Sequence, residues 1–101
     1  MQHTTKLSGK DFLDTYIHTP RAVCIDVRTK GEFLTGHIEG AVCVDIQDPS
    51  FLSEIQKLDT SKTYFVYCRS GNRSGHAVVI MKSIGFEHLY DLEGGIMSLA
   101  K

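Results

Sequence analysis

Apolar and polar positions along this chain fall into blocks that switch between two periods. Ser8 and Asp11 open a segment in which Phe12, Leu13, Tyr16 and Ile17 recur at helical spacing until Pro20 stops it. Ala22-Val23-Cys24-Ile25-Asp26-Val27 has the mostly apolar run of a buried strand and closes on the trio Asp26-Val27-Arg28. Glu32-Phe33-Leu34, between Gly31 and Gly36, predicts a short helical turn, and Ala41-Val42-Cys43-Val44-Asp45-Ile46 predicts the next strand. Asp48 is placed to cap a helix with Pro49 at its first position, and Phe51, Leu52, Ile55 and Leu58 supply the inner face. Thr63-Tyr64-Phe65-Val66-Tyr67 reads as a buried strand, residues 77–85 as a helix ended by Gly85, and His88-Leu89-Tyr90-Asp91-Leu92 as a last strand. Gly94-Gly95 then turns the chain into a short terminal helix. Strand and helix alternating at this density predict one α/β domain over residues 1–101, a mostly parallel sheet with helices on both faces.

Composition narrows the function. A chain of 101 residues holds one domain, and 42% hydrophobic with 23% charged residues is ordinary for a globular protein. A net charge of −1 argues against a nucleic-acid partner, which selects for a strongly basic surface. No apolar run is long enough to span a membrane, and no apolar core follows Met1 as in a secretory signal, so a cytoplasmic location is expected. The three cysteines are widely spaced, an odd number without a CxxC pair, which excludes a disulfide framework. No two Cys or His residues have the spacing of a structural zinc site, and no metal is expected. Cys24 and Cys43 lie inside strand-like runs and read as small buried hydrophobes. No apolar stripe marks an interface, so a monomer is the default expectation.

The chemistry concentrates in Cys68-Arg69-Ser70-Gly71-Asn72-Arg73-Ser74-Gly75, between a strand and a helix. A thiol at the carboxyl end of a strand, before a Gly-containing loop and a helix N-terminus, sits where backbone N–H groups and the helix dipole hold an anion. The same field favours thiolate over thiol. Gly71 lets the backbone curl so that successive N–H groups converge on the sulfur. Arg73 closes the loop in a structural or electrostatic role, and Arg69 projects toward solvent and substrate. Ser70 and Asn72 either donate to a bound anion or bond the local backbone, and Ser74 is read as the helix cap. Phosphotyrosine phosphatases place one more residue between their Cys and Arg, a loop wide enough to wrap a tetrahedral phosphate. The tighter loop here suits a single extra sulfur atom on Cys68.

At these residues the chain resembles a single-domain rhodanese, a sulfurtransferase acting on thiosulfate or persulfides. The likeness runs through Asp26-Val27-Arg28, Glu32-Phe33, Gly36-His37-Ile38-Glu39-Gly40-Ala41, the Cys68-to-Arg73 loop, Gly85-Phe86 and Leu92-Glu93-Gly94-Gly95. It implies a parallel sheet of about five strands between helices. It also implies Cys68 as the catalytic cysteine and the amides of Arg69, Ser70, Gly71, Asn72 and Arg73 as a persulfide cradle. Asp26, Arg28 and Glu32 are implied as a polar network supporting that loop, and His37 as a structural residue at a strand entry. The family usually has an aromatic residue soon after the paired glycines, where this chain has Ile96-Met97.

The expected reaction moves a sulfane sulfur from thiosulfate or a small persulfide, through a Cys68 persulfide, to cyanide in the test tube or to a thiol such as glutathione or a thioredoxin-like protein. No cofactor is implied. The alternatives are a rhodanese-like sulfur carrier or protein-interaction module with little turnover, and a phosphatase or arsenate reductase, against which the loop length weighs.

Overall fold

A computed structural model of the chain describes residues 3–99, with side chains from residue 5 onward. The elements are β1 (His3–Leu7), α1 (Gly9–His18), β2 (Val23–Asp26), α2 (Lys30–Leu34), β3 (Val42–Cys43), α3 (Phe51–Gln56), β4 (Thr63–Tyr67), α4 (Asn72–Ser83), β5 (His88–Leu92) and a terminal 3₁₀ helix, Ile96–Leu99. The five strands form one sheet in the order β1-β5-β4-β2-β3, with every pairing parallel.

Side chains leave a strand alternately to its two faces, and this parity assigns each residue to one of two apolar layers. Ile25, Tyr64, Val66 and Leu89 face α3 and α4, meeting Phe51, Ile55, Ala77, Val78 and Met81. Cys24, Phe65, Tyr67 and Leu92 face α1 and the 3₁₀ helix, meeting Phe12, Leu13, Tyr16, Ile96 and Leu99. Phe65 anchors the second layer, with Phe12 edge-on at 5.5 Å and Tyr90 stacked at 4.8 Å. The doubly covered α/β sheet is the predicted architecture.

Several local expectations are corrected. The edge strand β1 has no buried apolar run to announce it, because only one of its sides pairs. The predicted strand over 41–46 shrinks to β3. Beyond it, Val44 and Ile46 still donate to the carbonyls of Asp26 and Val27, but as an irregular segment at the other edge. Asp48 does not cap α3. It accepts from the Ser50 N–H and hydroxyl in a local turn, and the helix starts at Phe51. Ile17 and Leu52, read as inward, are exposed. Cys43 is half-buried rather than buried, its thiol donating to the Arg28 carbonyl. Ser8 is the N-cap of α1, but its side chain makes no capping bond. Gly85 ends α4 as predicted, with the N–H groups of Gly85 and Phe86 closing on the Lys82 and Met81 carbonyls.

Candidate active site

Strand β4 delivers Cys68 to the carboxyl end of the sheet, beside the N-terminus of α4. The parity that buries Tyr64 and Val66 against α4 puts Cys68 on that same face, and the residue is 1% exposed. It packs near Ala77 and Val78, yet its sulfur is not left to apolar neighbours. The Gly71 N–H donates to Sγ at 3.0 Å and the Ser74 N–H at 3.3 Å. The thiol donates to the Ser74 hydroxyl at 3.5 Å. Gly71 stands at φ +103, a conformation that glycine adopts without strain, and serves as the backbone cap of α4.

Four further loop amides hold no hydrogen bond among the described residues: those of Arg69, Ser70, Asn72 and Arg73. The reason lies underneath. The N–H groups of Ile96 and Met97, opening the 3₁₀ helix, donate to the carbonyls of Cys68 and Arg69 at 2.9 and 3.0 Å. A trans peptide points its N–H opposite to its carbonyl, so the Arg69 and Ser70 amides are turned away from that helix. Gly95 lies against the same peptides, where a Cβ would overlap the Arg69 carbonyl and the Ser70 nitrogen. The paired glycines, read from sequence only as a turn, are the floor of the loop. Two adjacent glycines were the available signal, and they stand at positive φ, +78 and +65, where other residues are strained.

Two expectations for the loop change. The helix begins at Asn72, so Arg73 sits in its first turn rather than closing the loop, and Ser74 lies within the helix instead of capping it. The side chain of Arg73 turns away from the sulfur to form a two-pronged ion pair with Glu32, at 2.8 and 2.9 Å. Glu32 also accepts from the N–H and hydroxyl of Thr29, completing a capping box at the start of α2. The Arg73 bond first, and then the Thr29 bonds, hold the Glu32 carboxyl down at about 2. The Thr29-to-Glu32 spacing carried this cap in the sequence, but its reach to α4 came only from the fold. Arg69, Ser70 and Asn72 are exposed on the outer side of the loop, and Arg69 has no acidic partner among the described residues.

Asp26 and Arg28 do not join this network. Asp26 is the register partner of Tyr67, so it points to the α1 face, opposite to Cys68. Its carboxylate is fully buried and takes three bonds from the Arg28 guanidinium and one from the Arg28 N–H. Arg28 continues to the Gly36 carbonyl at 2.7 Å and lies over the Tyr67 ring. This pair fixes the segment entering β3. His37 in that segment is exposed, stacked on Phe33 at 3.7 Å.

Ser74 and Asp91 were absent from the expected site and belong to it. Asp91 pairs in register with Val66 and shares the face of Cys68. Its Oδ1 accepts the Ser74 hydroxyl at 2.6 Å, so thiol, hydroxyl and carboxyl form one line. The other cysteines offer no comparable setting. Burial, with Asp26 nearby, pushes the Cys24 thiol up to about 12, and burial also raises Cys43. A groove of about 690 Å³ lined by Leu13, Tyr16, Ile17, Ile38, Ile96 and Leu99 lies apart from the Cys68 loop.

Comparison with known proteins bears on the family and the fold. The family model described as Rhodanese-like domain matches residues 10–101. The chain is 36% identical over 78 residues to the protein slr1261 of Synechocystis sp., covering 75% of this chain and 41% of that protein. It is 33% identical over 99 residues to a tRNA uridine(34) hydroxylase of Bacillus pumilus, covering 94% and 30%. It is 33% identical over 92 residues to the probable adenylyltransferase/sulfurtransferase MoeZ of Mycobacterium tuberculosis, covering 91% and 23%. The chain thus spans less than half the length of these curated relatives. Among solved structures, a rhodanese-related protein of Thermoplasma volcanium superposes with a TM-score of 0.82 at 27% identity, over 95% of this chain and 90% of that one.

Proposed function

The chain belongs to the rhodanese-like domain family, and from that premise we propose that it is a sulfurtransferase working through a persulfide on Cys68. The observation that carries the proposal is the ring of loop amides: two already on the sulfur, and four that hold no other hydrogen bond. A second sulfur bonded to Sγ would meet those donors as an anion. The Cys68 thiolate attacks the outer sulfur of thiosulfate, forming an S–S bond and expelling sulfite, or attacks a small persulfide and expels its thiolate. The charge stays balanced, because the attacking thiolate becomes a persulfide anion as sulfite leaves with two charges. Thiolate attack on sulfur needs no general base to activate a water and no metal.

In the second step an acceptor nucleophile takes the outer sulfur and returns Cys68 as thiolate. Cyanide serves in the test tube, and a thiol such as glutathione or a thioredoxin-like protein in the reducing cytoplasm. Phosphoryl transfer is disfavoured because the Arg73 guanidinium is committed to Glu32. The test is to add thiosulfate, or a glutathione persulfide, and weigh the intact protein. We expect a gain of one sulfur atom, abolished by Cys68→Ser, with ping-pong kinetics toward cyanide. A wild-type protein that gains no sulfur from either donor would refute the proposal.

The length of the relatives favours one second reading. Domains like this one occur inside longer proteins, among them the hydroxylase and the MoeZ protein above. On this reading a Cys68 persulfide would be a delivery state for a neighbouring site. Stoichiometric sulfur loading with negligible multiple turnover would select the carrier over the enzyme.

A further inference from the structure

Asp91 is 1% exposed and, among the described residues, its carboxyl accepts a single hydrogen bond, from the Ser74 hydroxyl. A buried carboxylate usually has an arginine, a metal or several amides around it. The charged groups around this line are few. Lys6 on β1 faces Asp91 from the exposed side. Arg73 on α4 lies near Cys68 but is held by Glu32, with Asp45 beyond it. Strand β4 offers Val66 opposite Asp91, which has no charge. The Ser74 hydroxyl has one proton and two acceptors in reach, Asp91 at 2.6 Å and the Gly71 carbonyl at 3.3 Å. The shorter bond, to a carboxylate, takes the proton. The free lone pairs of Ser74 Oγ then face the thiol.

We propose that Ser74 and Asp91 form a proton wire that receives the Cys68 proton when the thiolate forms. The Cys68 S–H bond breaks as an O–H bond forms on Ser74, and the original Ser74 proton passes to Asp91 Oδ1. No electron pair leaves the line and no co-reactant is needed. One negative charge moves from the carboxylate to the sulfur, and Ser74 ends as a hydroxyl aimed at the thiolate. The sulfur then has three donors: the Gly71 amide, the Ser74 amide and the Ser74 hydroxyl. Burial, which raises the proton affinity of Asp91, suits it as the terminus. Asp91 acts here through Ser74 and is a positioning residue.

The inference rests on Cys68 as the nucleophile, so its test avoids sulfur transfer and can fail separately. Alkylation by iodoacetamide reads the thiolate. Thiol and carboxyl sharing one proton give the wild type two steps in rate against pH, with a plateau between them. Asp91→Asn keeps the shape but offers no site for the proton, so its profile collapses to one step. Ser74→Ala also leaves one step, but slows the neutral-pH rate about tenfold, the equivalent of one unit of thiol acidity. Collapse of two steps into one in both neighbouring variants is a signature that simple loosening of the site does not produce. Infrared spectra of the unmodified wild type on the plateau provide a check that needs no variant, through a carboxylic-acid band from the share of Asp91 that holds the common proton. A single step in the wild type, two steps surviving in Asp91→Asn, or absence of that band would overturn the proposal.

Discussion

Two carboxylates near strand ends are withdrawn from water in this protein, Asp26 on β2 and Asp91 on β5, and they have opposite surroundings. Asp26 is saturated: the Arg28 guanidinium and N–H fill its lone pairs, and Arg28 in turn grips the Gly36 carbonyl. Asp91 has one hydroxyl. A saturated buried ion pair has its polar atoms already committed, so it serves as a fixed peg. A buried carboxyl with one neutral donor has two accessible states, and it stands in line with a thiol. The family resemblance drew attention to Asp26, yet strand parity puts Asp26 on the far face of the sheet and Asp91 on the face of Cys68.

The comparison breaks most readily at Asp26. Replacing it with Ala leaves the buried Arg28 charge without its counter-ion, and we expect a loss of about 3–5 kcal/mol, measured by urea unfolding. A loss below about 1 kcal/mol would mean that Asp26 is no more committed than Asp91. The floor of the loop comes next. Gly95→Ala forces a Cβ into the Arg69 and Ser70 backbone at φ +65, and should cost about 1–3 kcal/mol. It should also slow sulfur loading of Cys68, whereas Gly31→Ala, with open space at its Cβ apart from the Thr29 hydroxyl, should leave loading unchanged.

Glu32 tests a carboxylate of intermediate character, paired but partly exposed. Glu32→Gln should cost about 1 kcal/mol at neutral pH, since part-exposed ion pairs contribute little. Its folded value of about 2 lies below the ordinary 4.5, so its contribution is present above 4.5 and is lost as pH falls toward 2. Thermal melts over that window should show a flatter acid limb in the variant. The smallest expected effect is at Asp91 itself. Asp91→Asn should change stability by less than about 1 kcal/mol at neutral pH, because no charge partner is stranded. The sign of its pH dependence is opposite to that of Glu32. Burial raises Asp91 above 3.8, so the carboxyl favours the fold below that value and progressively less as pH rises. The balance between Asp91→Asn and the wild type should therefore move in favour of the variant on the alkaline side.

Much of this was legible from residue order. The α/β alternation, Cys68 at the tip of β4, the turn at Gly71 and the end of α4 at Gly85 follow from local periodicity and backbone preference. Expectations failed where the deciding contact was distant. Ser74 has the composition of a cap, but its hydroxyl is claimed by a strand 17 positions away. Arg73 reads as a structural or electrostatic residue, but its partner, Glu32, lies 41 positions upstream and is not legible from the loop.

The chain on its own singled out which sulfur stands at a polar, glycine-bearing junction between an apolar strand and a helix, because that junction is written in adjacent residues. Only the tertiary structure decided which groups that sulfur answers to. Sheet register and strand parity set those neighbours, and a shift of one residue along β2 or β5 would exchange the faces of Asp26 or Asp91 while leaving every local pattern intact.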